Sequence, residues 1–211
     1  MAFSLSVITL LFKQYELMED IILNNNVGNG DEAPITYGGD SGDTTEYLWN
    51  GKQIFYGAAK ALQPITDKVT MHTYQVMYGM FLLPYYHLNP TMKMLEIGLG
   101  CDMNYGPGAS VAIYQKLFPK AELWEAEYDA KCVEKNRDGM LEGINILTGD
   151  QGNDTVLDEW ILTSGGGFDI VIDDGGHQNC QIWHSFKKLW PTIKPGGLYS
   201  IEDMQVAQRK I

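Results

Sequence analysis

The stretch Val-Ile-Asp-Asp-Gly-Gly-His at 171–177 places two carboxylates and an imidazole directly after Phe168-Asp169-Ile170-Val171-Ile172, a run that reads as an interior strand. A second acid pair, Glu202-Asp203, closes another apolar run at 196–201. Neighbouring strands lie about 4.8 Å apart. If these two are neighbours, Asp174, Glu202 and Asp203 converge, and carboxylates that close repel unless a proton or a cation intervenes. Oxygen donors without sulfur suit Mg²⁺, or Mn²⁺ as an analogue. Beside such an ion, His177 is the expected general base, taking a proton from a hydroxyl whose oxygen the ion polarises. The competing reading makes Asp173 or Asp174 the cap of a helix starting near Gln178. It leaves Glu202-Asp203 solvated and His177 bonded to a carbonyl.

The surrounding pattern explains how these side chains would be positioned. Buried strands are expected at 92–98, 121–127, 144–150, 168–174 and 196–203, with helices at 110–118, 128–139, 155–161 and 181–190 between them. Val111, Tyr114, Leu117 and Phe118 share one helical face, as do Val156, Leu157, Trp160 and Ile161. In the last helix Ile182, Trp183, Phe186, Leu189 and Trp190 recur at helical spacing. Strands alternating with helices predict a three-layer α/β fold with a mainly parallel sheet. Ligands of such sheets bind at the carboxyl ends of the strands, where strand order reverses. Upstream, 52–63 and 70–86 are expected to be helical. The Gly-, Asn- and Asp-rich segment 24–46 reads as a flexible loop, which divides the chain into an N-terminal segment, 1–66, and a core, 67–211.

Bulk properties narrow the partners. A net charge of −12 over 211 residues disfavours nucleic acid and anionic membrane surfaces. The opening run MAFSLSVITLLF lacks a basic start and is too short to span a bilayer, so a helix or strand packed on the domain is expected, in a cytoplasmic protein. Cys101, Cys132 and Cys180 form no metal-binding pair, and reduced thiols are expected.

The other end of the crevice is read from glycines and acids. The first strand runs into Glu96-Ile97-Gly98-Leu99-Gly100, whose glycines let the backbone approach a ligand, but it is not the GxGxxG of dinucleotide enzymes. Glu127 ends the second strand, where an acid can accept both hydroxyls of a ribose, and Glu125 shares its face. Together they suggest a nucleoside ligand without a diphosphate, S-adenosylmethionine. Asp150 and Gln151, at the third-strand exit, are placed to reach the adenine amine, although Asp150 alone also fits a helix cap. Glu96 and Asp173 complete this expected cofactor shell.

At this point the residues carry a resemblance. Leu-Glu-Ile-Gly at 95–98, Glu127, VIDDGGH at 171–177 and KPGGLYSIEDM at 194–204 resemble the macrocin/mycinamicin-type sugar O-methyltransferases, metal-dependent class I enzymes that use S-adenosylmethionine. DKVTMHTYQVMY at 67–78 is similar to the family's DK…H-x-Y-x-x-x-Y segment near the cofactor and active site, and fungal glycoside O-methyltransferases look similar over 67–206. The likeness covers roughly 67–208. It implies a Rossmann-like class I methyltransferase core, metal ligands at Asp174, Glu202 and Asp203, a base at His177, a ribose acid at Glu127, and a glycine loop at Gly98 and Gly100. It also implies that His72, Tyr74 and Tyr78 lie at the cofactor side, and that the acceptor is a glycoside or other small-molecule hydroxyl. Two departures stand out. Gly176 replaces the usual serine, and Ile211 falls eight residues past the fifth strand, so the core is expected to lack the sixth and seventh strands. The uncovered edge of the fifth strand should then pair with FSLSVITLLF or with a second copy of the chain. A non-catalytic S-adenosylmethionine-binding remnant and, further off, a nucleotide-dependent oxidoreductase are the alternative functions.

Overall fold

The computed structural model describes residues 44–207. Five strands, β1 (Lys93–Ile97), β2 (Glu122–Glu127), β3 (Asn145–Thr148), β4 (Phe168–Asp173) and β5 (Ile193–Ile201), form one sheet. All pairs are parallel, in the order β3-β2-β1-β4-β5. The chain runs outward from β1 to β3 and then returns to place β4 on the other side of β1. Strand order therefore reverses between β1 and β4, the position at which open α/β sheets bind ligands.

The sheet is parallel because its central strands bury both faces. Every residue of β4 is buried, and four of five in β1. Met94, Ile170 and Ile172 pack on one side with Phe55, Tyr78, Leu82 and Tyr114. Leu95, Ile97 and Val171 pack on the other with Leu157, Trp160 and Leu189. This alternation makes the three layers.

The helices are α1 (Thr44–Lys60), α2 (Gln75–Met77), α3 (Leu83–Leu88), α4 (Ala109–Leu117), α5 (Ala130–Asn136), α6 (Asp154–Ser164), α7 (Asn179–Leu189) and α8 (Met204–Ala207). Local chemistry fixes their starts: Asp129 accepts from the Lys131 and Cys132 N–H groups at α5, and Asn153 accepts from Thr155 at α6. Asn153, not Asp150, is thus the cap of α6. Gln178 precedes α7 without a side-chain cap bond, so neither Asp173 nor Asp174 is spent on capping.

Two expectations need correction. Thr44–Glu46, assigned to the loop, begin α1; the rest of 24–46, like FSLSVITLLF, lies outside the described residues. The helix expected at 70–86 is interrupted. The N–H groups of Thr70, Met71 and His72 converge on the Asp67 carbonyl, and a π-turn at Tyr78–Leu82 separates α2 from α3. Here α1 crosses at backbone contact: a Cβ on Gly79 would sit 2.3 Å from the Lys52 nitrogen, and one on Gly51 2.2 Å from the Gly79 oxygen. The apolar stripe of α7 is only partly buried, with Leu189 inside but Trp183 55% and Trp190, just past the helix, 40% exposed, near β5, the last strand of the sheet among the described residues. No helix among the described residues is long and apolar enough to cross a membrane.

Candidate active site

A cleft of about 880 Å³ opens at the carboxyl ends of the strands, and the exits of β1, β2, β3 and β4 all contribute to its wall. Its floor depends on Gly98. The Gly98 N–H donates to the Ala126 carbonyl at 2.8 Å, and Asp174 N–H donates to the Ile97 carbonyl at 2.9 Å. With φ at +105°, Gly98 lies so near the β4 exit that a Cβ would be 2.3 Å from the Asp174 carbonyl oxygen. Any side chain there would push Asp174 away.

One group of acids faces the cleft. Asp174, His177 and Asp203 each offer a ligand atom, all within 4.8 Å of one another. His177 Nε2 is 4.0 Å from Asp174 Oδ1 and 3.8 Å from Asp203 Oδ2. Their side chains are 22%, 24% and 17% exposed. Asp203 is oriented by the upstream segment: Tyr74 hydroxyl donates to Oδ1 at 2.8 Å, Asp203 N–H donates back to that hydroxyl at 2.9 Å, and His72 Nε2 lies 3.4 Å from Oδ1. Partial burial would raise the Asp203 carboxyl, but the Tyr74 bond, His72, Gln205 and His177 outweigh it and hold the group below its ordinary value. His177 and Asp203, both at φ 52°, are the only non-glycine residues with positive φ among those described. Such backbone costs energy and concentrates at functional sites.

A second group lies beneath it and is dry. Lys68 Nζ is 2.6 Å from Asp174 Oδ2, 2.6 Å from Glu202 Oε2 and 3.2 Å from Glu96 Oε1, with side-chain exposures of 3% for Lys68, 1% for Glu202 and 0% for Glu96. Tyr78 hydroxyl donates to Glu202 Oε1 at 2.7 Å and meets the Tyr114 hydroxyl at 2.9 Å. Ser110 and Tyr114 both donate to Glu96. Burial alone would push the Lys68 ammonium down, yet Glu96, Glu202 and Asp174 together hold it well above its ordinary value. Burial raises the Glu202 carboxyl to about 7 against the pull of Lys68. Glu125, level with Glu96 in the neighbouring strand, is raised well above the carboxylate range by burial and then by the Glu96 charge.

The cofactor end keeps several expected residues on the wall: Gly98, Gly100, Glu127, Asp150 and Gln151. Glu127 Oε2 accepts from Leu99 N–H at 3.2 Å and Oε1 from Asp129 N–H at 2.9 Å, which ties the glycine loop to the β2 exit. Asp150 Oδ1 accepts from Gly152 N–H and from Gln181. Gln151 accepts from Gly176 N–H and donates to Asp173.

Not all the expected residues meet there. Among the expected cofactor residues, Glu96, Asp173, His72, Tyr74 and Tyr78 are not on the cleft wall. Asp173 accepts from Ser185 at 2.6 Å, Gln151 at 2.9 Å and Tyr199 at 3.0 Å, which fixes β4 to α7 and β5. His72 and Tyr74 serve Asp203, while Tyr78 serves Glu202. Glu202, expected beside Asp174 and Asp203 as a ligand, faces Lys68 instead, and His177 completes the open group. Lys68 itself was missed. Two of its partners, Asp174 and Glu202, are 106 and 134 residues away, and the only sequence signal was its place in the DK…H-x-Y segment. The expectation of reduced thiols is also overturned, since Cys101 and Cys132 form a disulfide, Cα atoms 6.1 Å apart. The pairing of β1 with β2 brings together loops that are 31 residues apart in sequence. Cys180 is free and exposed.

Asp174 and Asp203 offer the carboxylate oxygens that a hard divalent ion takes, partly open to solvent, and His177 stands within 4.8 Å of both.

Comparison with known proteins agrees with this geometry. No protein-family model matches the chain. It is 38% identical over 121 residues to mycinamicin VI 2''-O-methyltransferase of Micromonospora griseorubida, covering 56% of this chain and 29% of that protein. It is 28% identical over 159 residues to 8-demethyl-8-alpha-L-rhamnosyl tetracenomycin-C 2'-O-methyltransferase of Streptomyces olivaceus, covering 75% and 40%. Demethylmacrocin O-methyltransferase of Streptomyces fradiae is 35% identical over 122 residues, covering 56% and 29%. The solved structure of MycE methyltransferase from the mycinamycin biosynthetic pathway, in complex with Mg and SAH, superposes with a TM-score of 0.57 at 31% identity, covering 76% of this chain and 40% of that one. The chain thus spans 29–40% of the length of these relatives. Its fold is the Rossmann-like methyltransferase fold, and its resemblance to the macrocin/mycinamicin-type sugar O-methyltransferases extends from motifs to structure.

Proposed function

We propose that this chain carries the core of an S-adenosylmethionine-dependent O-methyltransferase, acting with Mg²⁺ or Mn²⁺ on a hydroxyl of a sugar or glycosylated small molecule. The observation that carries this reading is that one cleft joins the Gly98–Gly100 loop and Glu127 at one end to Asp174, His177 and Asp203 at the other. Curated relatives are named as O-methyltransferases, one of them of a rhamnosyl tetracenomycin, and MycE was solved with Mg and SAH.

Each residue then has a task. Glu127, already locked by two backbone N–H groups, keeps acceptor capacity for ribose hydroxyls. The glycine loop lets the chain's own backbone approach the cofactor, and Asp150 and Gln151 line the same cleft. Asp174 and Asp203 would hold the ion, and Lys68 would compete with it for Glu202. S-adenosylmethionine supplies an electrophilic methyl on its sulfonium, and the divalent ion a Lewis-acid contact for the acceptor oxygen. His177 Nε2 takes the acceptor's hydroxyl proton, and the adjacent Asp174 and Asp203 charges stabilise the imidazolium that results. Much of the acceleration comes from holding acceptor oxygen and methyl in line.

The test is mass spectrometry of a glycoside panel incubated with protein, S-adenosylmethionine and Mg²⁺. A gain of one methyl, abolished by chelator, is expected. Binding of S-adenosylmethionine without turnover on any member of the panel would favour the non-catalytic reading.

A further inference from the structure

Resting on the metal-assisted reading above, we propose that Lys68 is a positioning residue: a built-in cation that holds Asp174 and Glu202 together at the cleft floor and sets how tightly the divalent ion binds. Three observations support it. Lys68 Nζ bridges Asp174 Oδ2 and Glu202 Oε2, both at 2.6 Å, so it sits between two of the acids whose convergence would otherwise call for a metal. The same ammonium lies 3.2 Å from Glu96, so three carboxylates share one internal cation. Its position is built into the backbone: Thr66 Oγ1 accepts from Lys68 N–H at 3.3 Å, and the Lys68 carbonyl accepts from Tyr74 N–H at 3.1 Å. The turn that aims Lys68 at Asp174 is therefore continuous with the segment that aims Tyr74 at Asp203.

The charge arithmetic gives the consequence. Asp174 faces both groups, with Oδ2 on Lys68 and Oδ1 toward His177. An ion bound at Asp174 shares that carboxylate with the ammonium and is repelled by it, while Glu202 is withheld. Lys68 thus preassembles the floor and weakens the ion's hold on it, favouring an exchangeable ion over a resident one.

The experiment is Mg²⁺ titration by calorimetry, with thermal unfolding in chelator and in saturating Mg²⁺, on the parent chain and Lys68→Met. Removing the ammonium should tighten Mg²⁺ binding roughly tenfold or more, the repulsion expected of two cations a few ångströms apart even in water's dielectric. Lys68→Met should also unfold earlier than the parent in chelator and recover most of the difference in Mg²⁺. Unchanged affinity, with an equal loss of stability in both conditions, would make Lys68 a structural ion pair only and overturn the inference while leaving the metal reading intact. If the parent binds neither Mg²⁺ nor Mn²⁺, both fall. Should Lys68→Met fold only with Mg²⁺, the inference is supported. Should it not fold at all, Glu96→Gln decides: with one competitor gone, Lys68 binds Asp174 and Glu202 more closely, and Mg²⁺ affinity should drop several-fold. An unchanged affinity in Glu96→Gln would then overturn it.

Discussion

Two groups of acids meet at Asp174 and differ in almost every physical respect. Below it, Glu96 and Glu202 are sealed from water, and every charge has a partner: Lys68 for both, Ser110 and Tyr114 for one, Tyr78 for the other. Above it, Asp203 and His177 are partly open to solvent, lie at a separation that leaves space between their ligand atoms, and sit on backbone that L residues rarely adopt. The lower group resembles a buried network in which any single removal strands a charge. The upper group holds strain and like charge in readiness for something that is not part of the chain. Burial and partner count, rather than residue type, separate the acids that hold the site from those that face the reaction.

The largest expected effect tests the upper group. His177→Ala should lower turnover about 10²–10⁴-fold while S-adenosylmethionine affinity, measured by calorimetry, stays within a few-fold. Near-full turnover would mean that strained geometry and open acids do not mark the reacting end. Stability separates the groups next. Tyr78→Phe removes the donor to Glu202 and the contact with Tyr114 in a dry setting, which should cost about 1.5–3 kcal/mol in denaturant unfolding. Tyr74→Phe removes the donor to Asp203 where water can replace it, and should cost under about 1 kcal/mol. Equal costs would erase the distinction drawn from burial. A smaller effect, of opposite sign, is expected for His177→Gly. Relief of the left-handed backbone at φ 52° should raise stability by about 0.5–1 kcal/mol while activity falls as in the alanine variant. A loss of stability would show that the imidazole supports the fold more than the backbone strains it.

How far the site was legible in the sequence follows from the same contrast. β1 and β4 were readable because burial on both faces writes a nearly unbroken apolar run, and their acids stand out at its ends. Glu202 and Asp203 were not distinguishable. They are adjacent and both acidic, and only the left-handed φ of Asp203 turns one toward the cleft while the other faces Lys68. Apart from its place in the DK…H-x-Y segment, Lys68 carried no signal of its role, since a lysine beside an aspartate in a polar turn reads as solvated until the fold brings carboxylates from β1, β4 and β5 around it. The disulfide was missed because spacing along the chain says nothing of two loops joined by strand pairing. The exposure of Trp183 and Trp190 was not legible either, since helical spacing does not reveal how much of an apolar stripe is covered.

The smallest expected effect probes the boundary of the dry group, at Glu125. It is buried, level with Glu96, and its Oε2 has no hydrogen-bond partner among the described residues. Burial, then the Glu96 charge, raises its carboxyl well above the ordinary value, with Lys68 offsetting only part. The sign follows from linkage. A carboxyl whose folded value exceeds the unfolded one, about 4.3, favours the folded state fully below that pH, and this contribution is lost as pH rises toward the folded value. Glutamine has no proton to lose. Glu125→Gln should therefore match the parent's melting temperature near pH 4 and exceed it by a margin that widens as pH rises above about 4.3. A margin that is constant with pH, or that widens on acidification, would mean Glu125 is ionised and stabilised where it stands. The dry group would then hold one more unpaired charge than its single lysine accounts for.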